Sequence, residues 1–444
     1  MKTSYSVPVL LDQASLSAFQ WRIFLLCFIV AIFDGFDTQS IAYTGPALME
    51  AFQLNAGALA PVMSAGTVGM AIGAMTLGLF GDRLGRRPGI MFSVLLFGIA
   101  TWLTAYAQSV NQIVILRFLA GLGMGGATPL LLALASEYGP ARHRGAIVTG
   151  VLLGLPAGAI VGGLLAAKML PVIGWQGIFV VGGVAPLIVL VFLFFMLPES
   201  MQLQVNTGRN LDRVRNTLRK ITKKVIPADA QLEVPEIKVE KASLSALFGK
   251  ELARNTIAIW ITYFFNWVAW FMLLSWLPTV LKAGGLVPES APMGTVVVNA
   301  VFILCAIPLS ILLPRLNTRN VLLFMFAVGI ALSLGLGLAL PNWTIVFILV
   351  GIAGFGIGGQ QLALNYLVIS AYPTTLRATA TGWAIGIGRT GAIVGAAIGG
   401  YVLEWIGPSG FFSLLALPLV LAAVAVVLIK KPAEKTVEPE LAAA

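Results

Sequence analysis

Two carboxylates stand three residues apart inside the first long apolar stretch of the chain, Asp34 and Asp37 in the run Asp-Gly-Phe-Asp. Placing one carboxylate near the middle of a bilayer costs roughly 2.5 kcal/mol or more. Residues at i and i+3 share one face of a helix, so both acids can face the same cavity. Because a desolvated carboxyl group can take up and release a proton, the pair predicts a proton or ion site within a membrane.

The rest of the chain agrees with a membrane location. Of its 444 residues, 58% are hydrophobic and 10% are charged, whereas soluble proteins carry about 25% charged residues. Runs long enough to cross a bilayer as helices recur along the whole chain. We count about twelve, near 22–42, 58–80, 89–107, 111–136, 146–168, 177–197, 255–281, 293–314, 320–340, 343–371, 378–404 and 409–430. The sequence therefore predicts an all-α integral membrane protein with twelve transmembrane helices.

The basic residues predict the orientation of these helices. Of the 28 Lys and Arg residues, 24 fall on the side that holds the N-terminus. Lys168 and Lys282 fall on the other side, and Arg117 and Arg389 lie within spans. The positive-inside rule then places both termini in the cytoplasm. This topology accounts for the net charge of +10, so no nucleic-acid partner is expected.

The chain divides into two similar halves. We expect a six-helix bundle over 1–198, a cytoplasmic central loop over 199–254, a second six-helix bundle over 255–431 and a tail over 432–444. The halves share residues at an offset of 233, namely the glycine runs at 121–126 and 354–359, Pro140 and Pro373, Arg144 and Arg377, Gly158 and Gly391, and Gly162 and Gly395. Paired six-helix repeats around a midplane site are typical of alternating-access transporters.

An amphipathic segment lies within the predicted central loop. Its apolar residues recur at helical spacing with Arg and Lys between them: Leu211, Val214, Leu218, Ile221 and Val225. This pattern suits a helix lying on the anionic inner leaflet. A mobile connector is the alternative interpretation.

The loop between the second and third spans carries a run of glycines and charges. The residues are Gly78, Asp82, Arg83, Gly85, Arg86 and Arg87. They resemble the loop 2–3 motif of the major facilitator superfamily, a contact that can hold one conformational state and break in the other. Glycines permit a tight turn, and Asp82 can pair with a cation or cap a helix. A positively charged retention loop would explain the arginines alone.

Arg117 lies in the fourth span, in a sequence that resembles the fourth-helix arginine motif of the same superfamily. At about 1.5 Å per residue, Arg117 is about 9 Å below the outer end of its helix, and Asp37 is about 22 Å above the inner end of its own. In a core about 30 Å thick these depths nearly coincide. We therefore expect Arg117 to pair with Asp37 or Asp34. A static structural ion pair is the alternative to a role in transport.

Three further charged residues are candidates. Glu137 ends the fourth span beside the basic loop that contains Arg144, where an inner gate contact or a plain surface salt bridge is expected. Arg389 stands midway along the eleventh span. A buried cation there can bind a substrate carboxylate or neutralise a helix end.

Spans one, four, seven and ten are expected to line the central cavity of a twelve-helix transporter. Flat rings beside amide groups suit an aromatic ligand with polar substituents, although tryptophans also serve simple packing. The polar and aromatic candidates are Gln39, Tyr43, Asn266, Trp267, Trp270, Gln360, Gln361, Asn365 and Tyr366.

Taken with Leu-Pro-Glu-Ser at 197–200, these motifs resemble the aromatic acid:proton symporter family of the major facilitator superfamily across essentially all twelve spans. The resemblance implies two pseudo-symmetric six-helix bundles and uptake of hydroxybenzoate-like acids driven by the proton gradient. It also implies an inner-membrane location, and we expect a monomer. By position, Asp34 and Asp37 would carry coupling, Asp82 and Gly85 the conformational loop, and Arg117, Glu137 and Arg389 transport.

Other functions remain open at this point. A proton-coupled sugar symporter shares the first-span acid and the Pro-Glu-Ser sequence but usually repeats the loop motif, which is degenerate at 314–319. A drug:proton antiporter is suggested faintly by the glycines and proline at 154–163, which helix packing also explains. A sensor without net transport would not need paired midplane acids. No nucleophile–base set or metal-spaced cluster appears in the sequence, so we expect neither an enzyme nor a metal or organic cofactor.

Overall fold

The computed structural model describes residues 4–224, 226–227, 230–234, 244–249 and 252–429, without the side chains of 82–84 and 374. Long helices dominate both halves. Those of the first half are Ala18–Ala51 (span 1), Ala56–Leu84 (span 2), Arg86–Thr104 (span 3), Val110–Tyr138 (span 4) and Arg144–Leu152 followed by Gly154–Met196 (spans 5 and 6). Those of the second half are Ala253–Ala283 (span 7), Ala291–Leu312 (span 8), Thr318–Ala339 (span 9), Trp343–Ala353, Gly354–Gly358 and Gln360–Ala371 (span 10), and Thr374–Leu414 followed by Ala416–Leu428 (spans 11 and 12).

Two glycines divide the longest helical segments. In the described part of the chain, ten segments are long and apolar enough to span a membrane, and two of these, of 56 and 54 residues, are about twice the necessary length. Non-helical backbone at Gly174 and Gly407, each with a φ of +68°, breaks them into two. Glycine tolerates positive φ without steric cost. These breaks confirm twelve spans, and they stand at the same 233-residue offset as the glycine runs.

Close glycine contacts hold spans 1 and 5 together. A Cβ atom built on Gly35 would lie 1.9 Å from the carbonyl oxygen of Leu155, and one on Gly158 would lie 1.9 Å from that of Ile32. The two backbones therefore touch without side chains between them, as small residues allow in membrane helix pairs. This contact fixes the rotation of span 1, which carries both aspartates.

Gly35→Val is expected to destabilise the protein by about 3 kcal/mol or more, because span 1 would have to move away from the backbone of span 5. Gly386→Val is the matched control on span 11, since a Cβ there has no heavy atom within 4 Å. Thermal unfolding of the two purified variants measures the difference. Equal melting temperatures would contradict the close contact.

The halves touch at their outer ends and separate towards their inner ends, where inner denotes the side of the N-terminus. A Cβ on Gly163 in span 5 would lie 2.6 Å from Val296, and one on Gly400 in span 11 would lie 2.3 Å from the carbonyl oxygen of Ala56. Five helical turns nearer the inner end, on the same helix faces, Gly145 and Gly382 have no atom within 4 Å of such a Cβ. The space between the halves therefore widens towards the inner side.

Polar contacts reinforce the outer closure. Glu404 of the second half accepts hydrogen bonds from the side chain of Asn55 and the backbone N–H of Gly57, both at 3.1 Å. Lys282 forms an ion pair with Glu50 across the same boundary. A cavity of about 520 Å³ lies among these residues at the outer surface.

The N-terminal segment and the central loop form a small structure on the inner side. Ser4–Ser6 pairs in parallel with Gln231–Glu233, and the helix Val7–Gln13 packs against the helix Leu211–Thr222. The remaining short elements are 3-10 turns and one helix, at Ala141–His143, Met201–Asn206, Leu244–Phe248, Pro288–Ser290 and Leu313–Arg315.

This packing corrects the prediction for the amphipathic segment. Val214, Leu218 and Ile221 are buried in the same apolar core as the inner ends of the first half. Their apolar face is covered by protein, so the helix neither lies on lipid through that face nor acts as a loose connector. Val225 lies outside the described residues, as does the tail over 432–444.

Candidate functional site

Of the two pairings expected for Arg117, with Asp37 or with Asp34, the structure shows the one with Asp37. The Arg117 guanidinium donates to Oδ1 of Asp37 at 3.0 Å, and the exposed fractions of the two residues are 3% and 1%. Thr101 of span 3 donates to the same oxygen at 2.8 Å and accepts from Arg117 at 2.8 Å. The ring of Phe179 lies 5.0 Å from the guanidinium carbon. This pair joins spans 1, 3, 4 and 6 within the first half.

Asp34 has a different environment, although it is also fully buried. Its oxygens accept from the hydroxyls of Thr128 in span 4, at 2.5 Å, and of Thr38, at 3.4 Å. Met70 and Met124 surround the Thr38 hydroxyl. Among the described residues no ion pair within 4.0 Å forms on Asp34, so its charge is balanced only at longer range.

Arg389 of span 11 is a cation that acts on Asp34 from such a longer distance. It interacts electrostatically with Asp34 across the boundary between the halves. Its guanidinium is half-buried and lies 3.5 Å from the carbonyl oxygen of Met70 in span 2. The structure thus brings together, from opposite halves, a half-buried cation and a carboxylate that forms no ion pair with the described residues.

A chain of side-chain amides links spans 7 and 10 in the second half. Gln361 donates from Nε2 to Oδ1 of Asn266, and Asn266 donates from Nδ2 to Oε1 of Gln360. Gln360 in turn donates to the carbonyl oxygen of Gly356, within the π-helical turn Gly354–Gly358. Such turns occur frequently at functional sites. The three predicted amides therefore act as one connected network.

The aromatic candidates fall into two groups. Trp267 stacks on Phe271 with ring centroids 5.7 Å apart and contacts Gly388, the neighbour of Arg389. Its buried Nε1 has no hydrogen-bond partner among the described residues. Trp270 packs instead against Phe302 and Gly358. Of the pair, Trp267 contacts the residue next to Arg389, and Trp270 contacts the π-helical turn in which the amide chain ends.

The remaining predicted cavity residues are placed as follows. Asn365 accepts a hydrogen bond from the Tyr263 hydroxyl at 3.0 Å, and Tyr366 is half-buried on the same helix. Gln39 is buried in span 1. The hydroxyl of Tyr43 donates to the carbonyl oxygen of Ala159 at 2.5 Å, so this side chain packs span 1 against span 5.

The loop 2–3 motif surrounds the carboxylate of Glu199, which belongs to the Leu-Pro-Glu-Ser sequence at 197–200. Glu199 accepts from the backbone N–H groups of Arg86 at 2.9 Å, Arg87 at 3.2 Å and Ser200 at 2.8 Å. The first N–H groups of a helix have no partner within it, and they attract negative charge. Glu199 therefore caps span 3 from the end of span 6.

One glycine of the motif, Gly85, fits this cap. Gly85 has a φ of +124°, and a Cβ there would lie 2.5 Å from Glu199. A Cβ on Gly78 would lie 3.6 Å from the side chain of Pro129 in span 4, which is an ordinary van der Waals contact. The side chains of Asp82 and Arg83 lie outside the described residues.

Glu199→Ala is expected to lower the free energy of unfolding by about 1–2 kcal/mol, because the first turn of span 3 loses its acceptor. Glu233→Ala removes an exposed carboxylate of the inner side and is the control. Thermal unfolding of the purified variants measures both changes. A Glu199 variant as stable as its control would argue against the cap.

Glu137 is buried and pairs with Arg86, and it accepts from the Ser200 hydroxyl at 2.5 Å. The surface salt bridge considered for Glu137 is therefore wrong. Neither partner belongs to the second half, so a role for Glu137 as a gate between the halves remains a prediction. Arg144 is exposed and donates to the carbonyl oxygen of Ser136 at 3.2 Å.

The threonines around both aspartates were missed from sequence. Thr101, Thr104 and Thr128 are ordinary residues of apolar spans, and Arg117 also donates to Thr104 at 3.4 Å. A search for hydroxyl groups at the depth of the aspartates would have found them.

Comparisons with known proteins agree with this architecture. The family model described as Major Facilitator Superfamily matches residues 27–389 and 303–443. The crystal structure of a D-xylose-proton symporter is similar with a TM-score of 0.70 at 17% identity, covering 93% of this chain and 97% of that one. An inward-facing bacterial homologue of the human lysosomal transporter Spinster gives a TM-score of 0.69 at 15% identity, covering 93% and 96% of the two chains.

Relatives with higher sequence identity are also found. The 4-hydroxybenzoate transporter PcaK of Pseudomonas putida is 36% identical and covers 90% of each chain. The gallate transporter of Pseudomonas putida is 35% identical over 94% of this chain and 93% of its own length. The benzoate transport protein of Acinetobacter baylyi is 28% identical over 97% and 93%. This chain therefore belongs to the Major Facilitator Superfamily and, within it, to the aromatic acid:proton symporter family.

Proposed function

We propose that this protein imports a hydroxybenzoate-like aromatic carboxylate by proton symport with alternating access. The main observation behind the proposal is that the two aspartates of span 1 have different partners. Asp37 is held by Arg117 inside one half. Asp34, by contrast, accepts hydrogen bonds from hydroxyl groups alone among the described residues, and it interacts electrostatically with Arg389 of the other half. Asp34 is therefore the coupling group, and Asp37 holds the bundle together.

Competition for one cation supplies the coupling. A substrate carboxylate bound to Arg389 would lie near Asp34, and two anions sharing one cation in a low-dielectric site repel each other. Protonation of Asp34 removes this repulsion, so proton and substrate favour each other's binding. In the empty protein Arg389 and ionised Asp34 balance each other. The state with substrate bound and Asp34 ionised is unfavourable, so transport of the substrate without a proton is disfavoured.

The aromatic part of the substrate has a place beside these charges. Trp267 and Phe271 of span 7 offer stacked rings next to Gly388. Asn266 lies on the same span, and its amide is hydrogen-bonded to that of Gln361 on span 10. Flat apolar walls with a few polar groups suit an aromatic acid. The substrates for which the relatives are named, 4-hydroxybenzoate, gallate and benzoate, support this chemical class.

Movement of the halves completes the cycle. Contacts at the outer ends, including Glu404 with Asn55 and Lys282 with Glu50, would break as the inner ends close. The two six-helix bundles, 1–198 and 255–431, are the bodies that move. We place the protein in the inner membrane with both termini in the cytoplasm, following its basic residues.

Uptake of labelled 4-hydroxybenzoate into proteoliposomes tests the proposal. With the lumen alkaline relative to the medium, we expect accumulation that a protonophore abolishes. Benzoate, gallate and a sugar are run in parallel. Uptake of the sugar alone would redirect the substrate class, and aromatic-acid uptake unaffected by the protonophore would overturn proton coupling.

A further inference from the structure

The internal repeat assigns a counterpart to Asp34 in the second half. Gly158 packs against the carbonyl oxygen of Ile32, and its repeat partner Gly391 packs in the same way against that of Phe264. Two residues after these carbonyl groups stand Asp34 and Asn266. The same helical position therefore carries a carboxylic acid in span 1 and an amide of nearly the same shape in span 7.

The hydrogen-bond partners correspond as well. Thr128 of span 4 donates to Asp34, and Gln361, at the 233-residue offset from Thr128, donates to Asn266. The contact between the two helices is retained in both halves, but only the first copy can ionise. The second copy is a permanently neutral hydrogen-bonding site at the matching place.

The polarity of this neutral site is fixed by the backbone. The Gly356 carbonyl can only accept, so Gln360 must present Nε2 to it and Oε1 to Asn266. Asn266 then presents Nδ2 to Gln360 and Oδ1 to Gln361. The last member, Gln361, is half-buried, and its Oε1 accepts no hydrogen bond from any residue in the described parts of the chain. The chain of amides thus ends at Gln361 with Oε1 as a hydrogen-bond acceptor.

We propose that Oε1 of Gln361 accepts a hydrogen bond from a ring hydroxyl of the substrate and makes Gln361 a specificity-determining residue. The proposal rests on the proposed function, in which Arg389 binds the carboxylate. A site built to accept an O–H disfavours ligands without a donor, because an acceptor that the bound ligand covers is then left without a partner. Hydroxylated benzoates are therefore preferred over benzoate.

Competition binding on the purified protein tests this without relying on transport. The probe is labelled 4-hydroxybenzoate, and the competitors are 3-hydroxybenzoate, 4-aminobenzoate, 4-fluorobenzoate and benzoate. We expect at least one hydroxylated acid and the amine, which carry donors, to bind about tenfold tighter than the fluoro compound and benzoate. Equal binding of 4-fluorobenzoate, benzoate and the donor-bearing acids would overturn the proposal on the wild-type protein alone.

Two variants test whether Gln361 is the residue responsible for this preference. Gln361→Leu is expected to reduce the preference to about threefold or less while benzoate still binds. Asn299→Leu is the matched control, because this buried amide donates to the carbonyl oxygen of Thr295 on its own helix, and it should keep the full preference. An undiminished preference in Gln361→Leu would refute the assignment. Absence of binding by every aromatic acid to the wild-type protein would instead refute the proposed function.

Discussion

Asp34→Asn is expected to abolish proton-driven accumulation of the substrate completely. Asparagine has the shape of a protonated aspartic acid and can still accept from Thr128, which lies 2.5 Å from the carboxylate. It cannot take up or release a proton, so the proton gradient can no longer drive substrate transport. Because the neutral form is the one that tolerates a substrate anion at Arg389, binding should persist, and so should exchange of labelled for unlabelled substrate across the membrane.

The measurement compares two assays on the same proteoliposomes. Accumulation under an inward proton gradient should disappear, whereas exchange with substrate on both sides and no gradient should continue. Asp212→Asn is the control, since the Asp212 side chain is 91% exposed on an inner-side helix, and both activities should be unchanged. Full accumulation by Asp34→Asn would remove Asp34 from the coupling step.

The exchange assay also separates coupling from collapse of the site. A variant that loses accumulation and exchange together has lost binding or folding, which a thermal unfolding measurement distinguishes. Loss of accumulation alone is the specific signature of a missing proton carrier.

The sequence was sufficient to predict the twelve spans and an ion pair between Arg117 and one of the two first-span aspartates. Depth in a membrane follows from counting residues along a helix, so the level of both side chains could be estimated without a structure. The duplication was visible for a similar reason, because glycines needed for close helix packing recur at a fixed offset. The kinks at Gly174 and Gly407 extend that offset to positions that sequence reasoning had not included.

The sequence could not assign different roles to Asp34 and Asp37. Residues three apart on a helix face nearly the same way, and which of them meets Arg117 depends on the rotation of span 1. That rotation is fixed by the contact of Gly35 and Gly158 with the neighbouring backbone. Contacts of this kind are tertiary, so residue spacing within one span does not determine them.

The inner-side structure was missed because amphipathicity does not identify what covers an apolar face. The spacing of Val214, Leu218 and Ile221 fits a lipid surface and a protein surface equally well. The protein surface that covers this helix comes from distant parts of the chain. Ser4–Ser6, for example, pairs with Gln231–Glu233, more than 200 residues away. The cap formed by Glu199 is likewise a contact between distant segments.

Arg117→Ala is expected to destabilise the protein by about 3–5 kcal/mol, because it leaves the Asp37 carboxylate buried without its cation. Oδ2 of Asp37 already has no hydrogen-bond partner among the described residues, so little else nearby can compensate. The double variant Asp37→Asn/Arg117→Gln should recover much of the loss, since it buries no charge. Lys282→Ala is the control, and it should cost about 1 kcal/mol or less because its partner Glu50 has a side chain that is 71% exposed.

Thermal unfolding of the single and double variants measures the coupling between Asp37 and Arg117. A double variant that is nearly as stable as wild type and still accumulates substrate would make the pair a structural element, which is the role given to it here. A stable double variant without accumulation would mean that the pair also takes part in the transport cycle. If Arg117→Ala alone is no less stable than Lys282→Ala, the buried charge is not what holds these four spans together, and the division of roles between Asp34 and Asp37 fails with it.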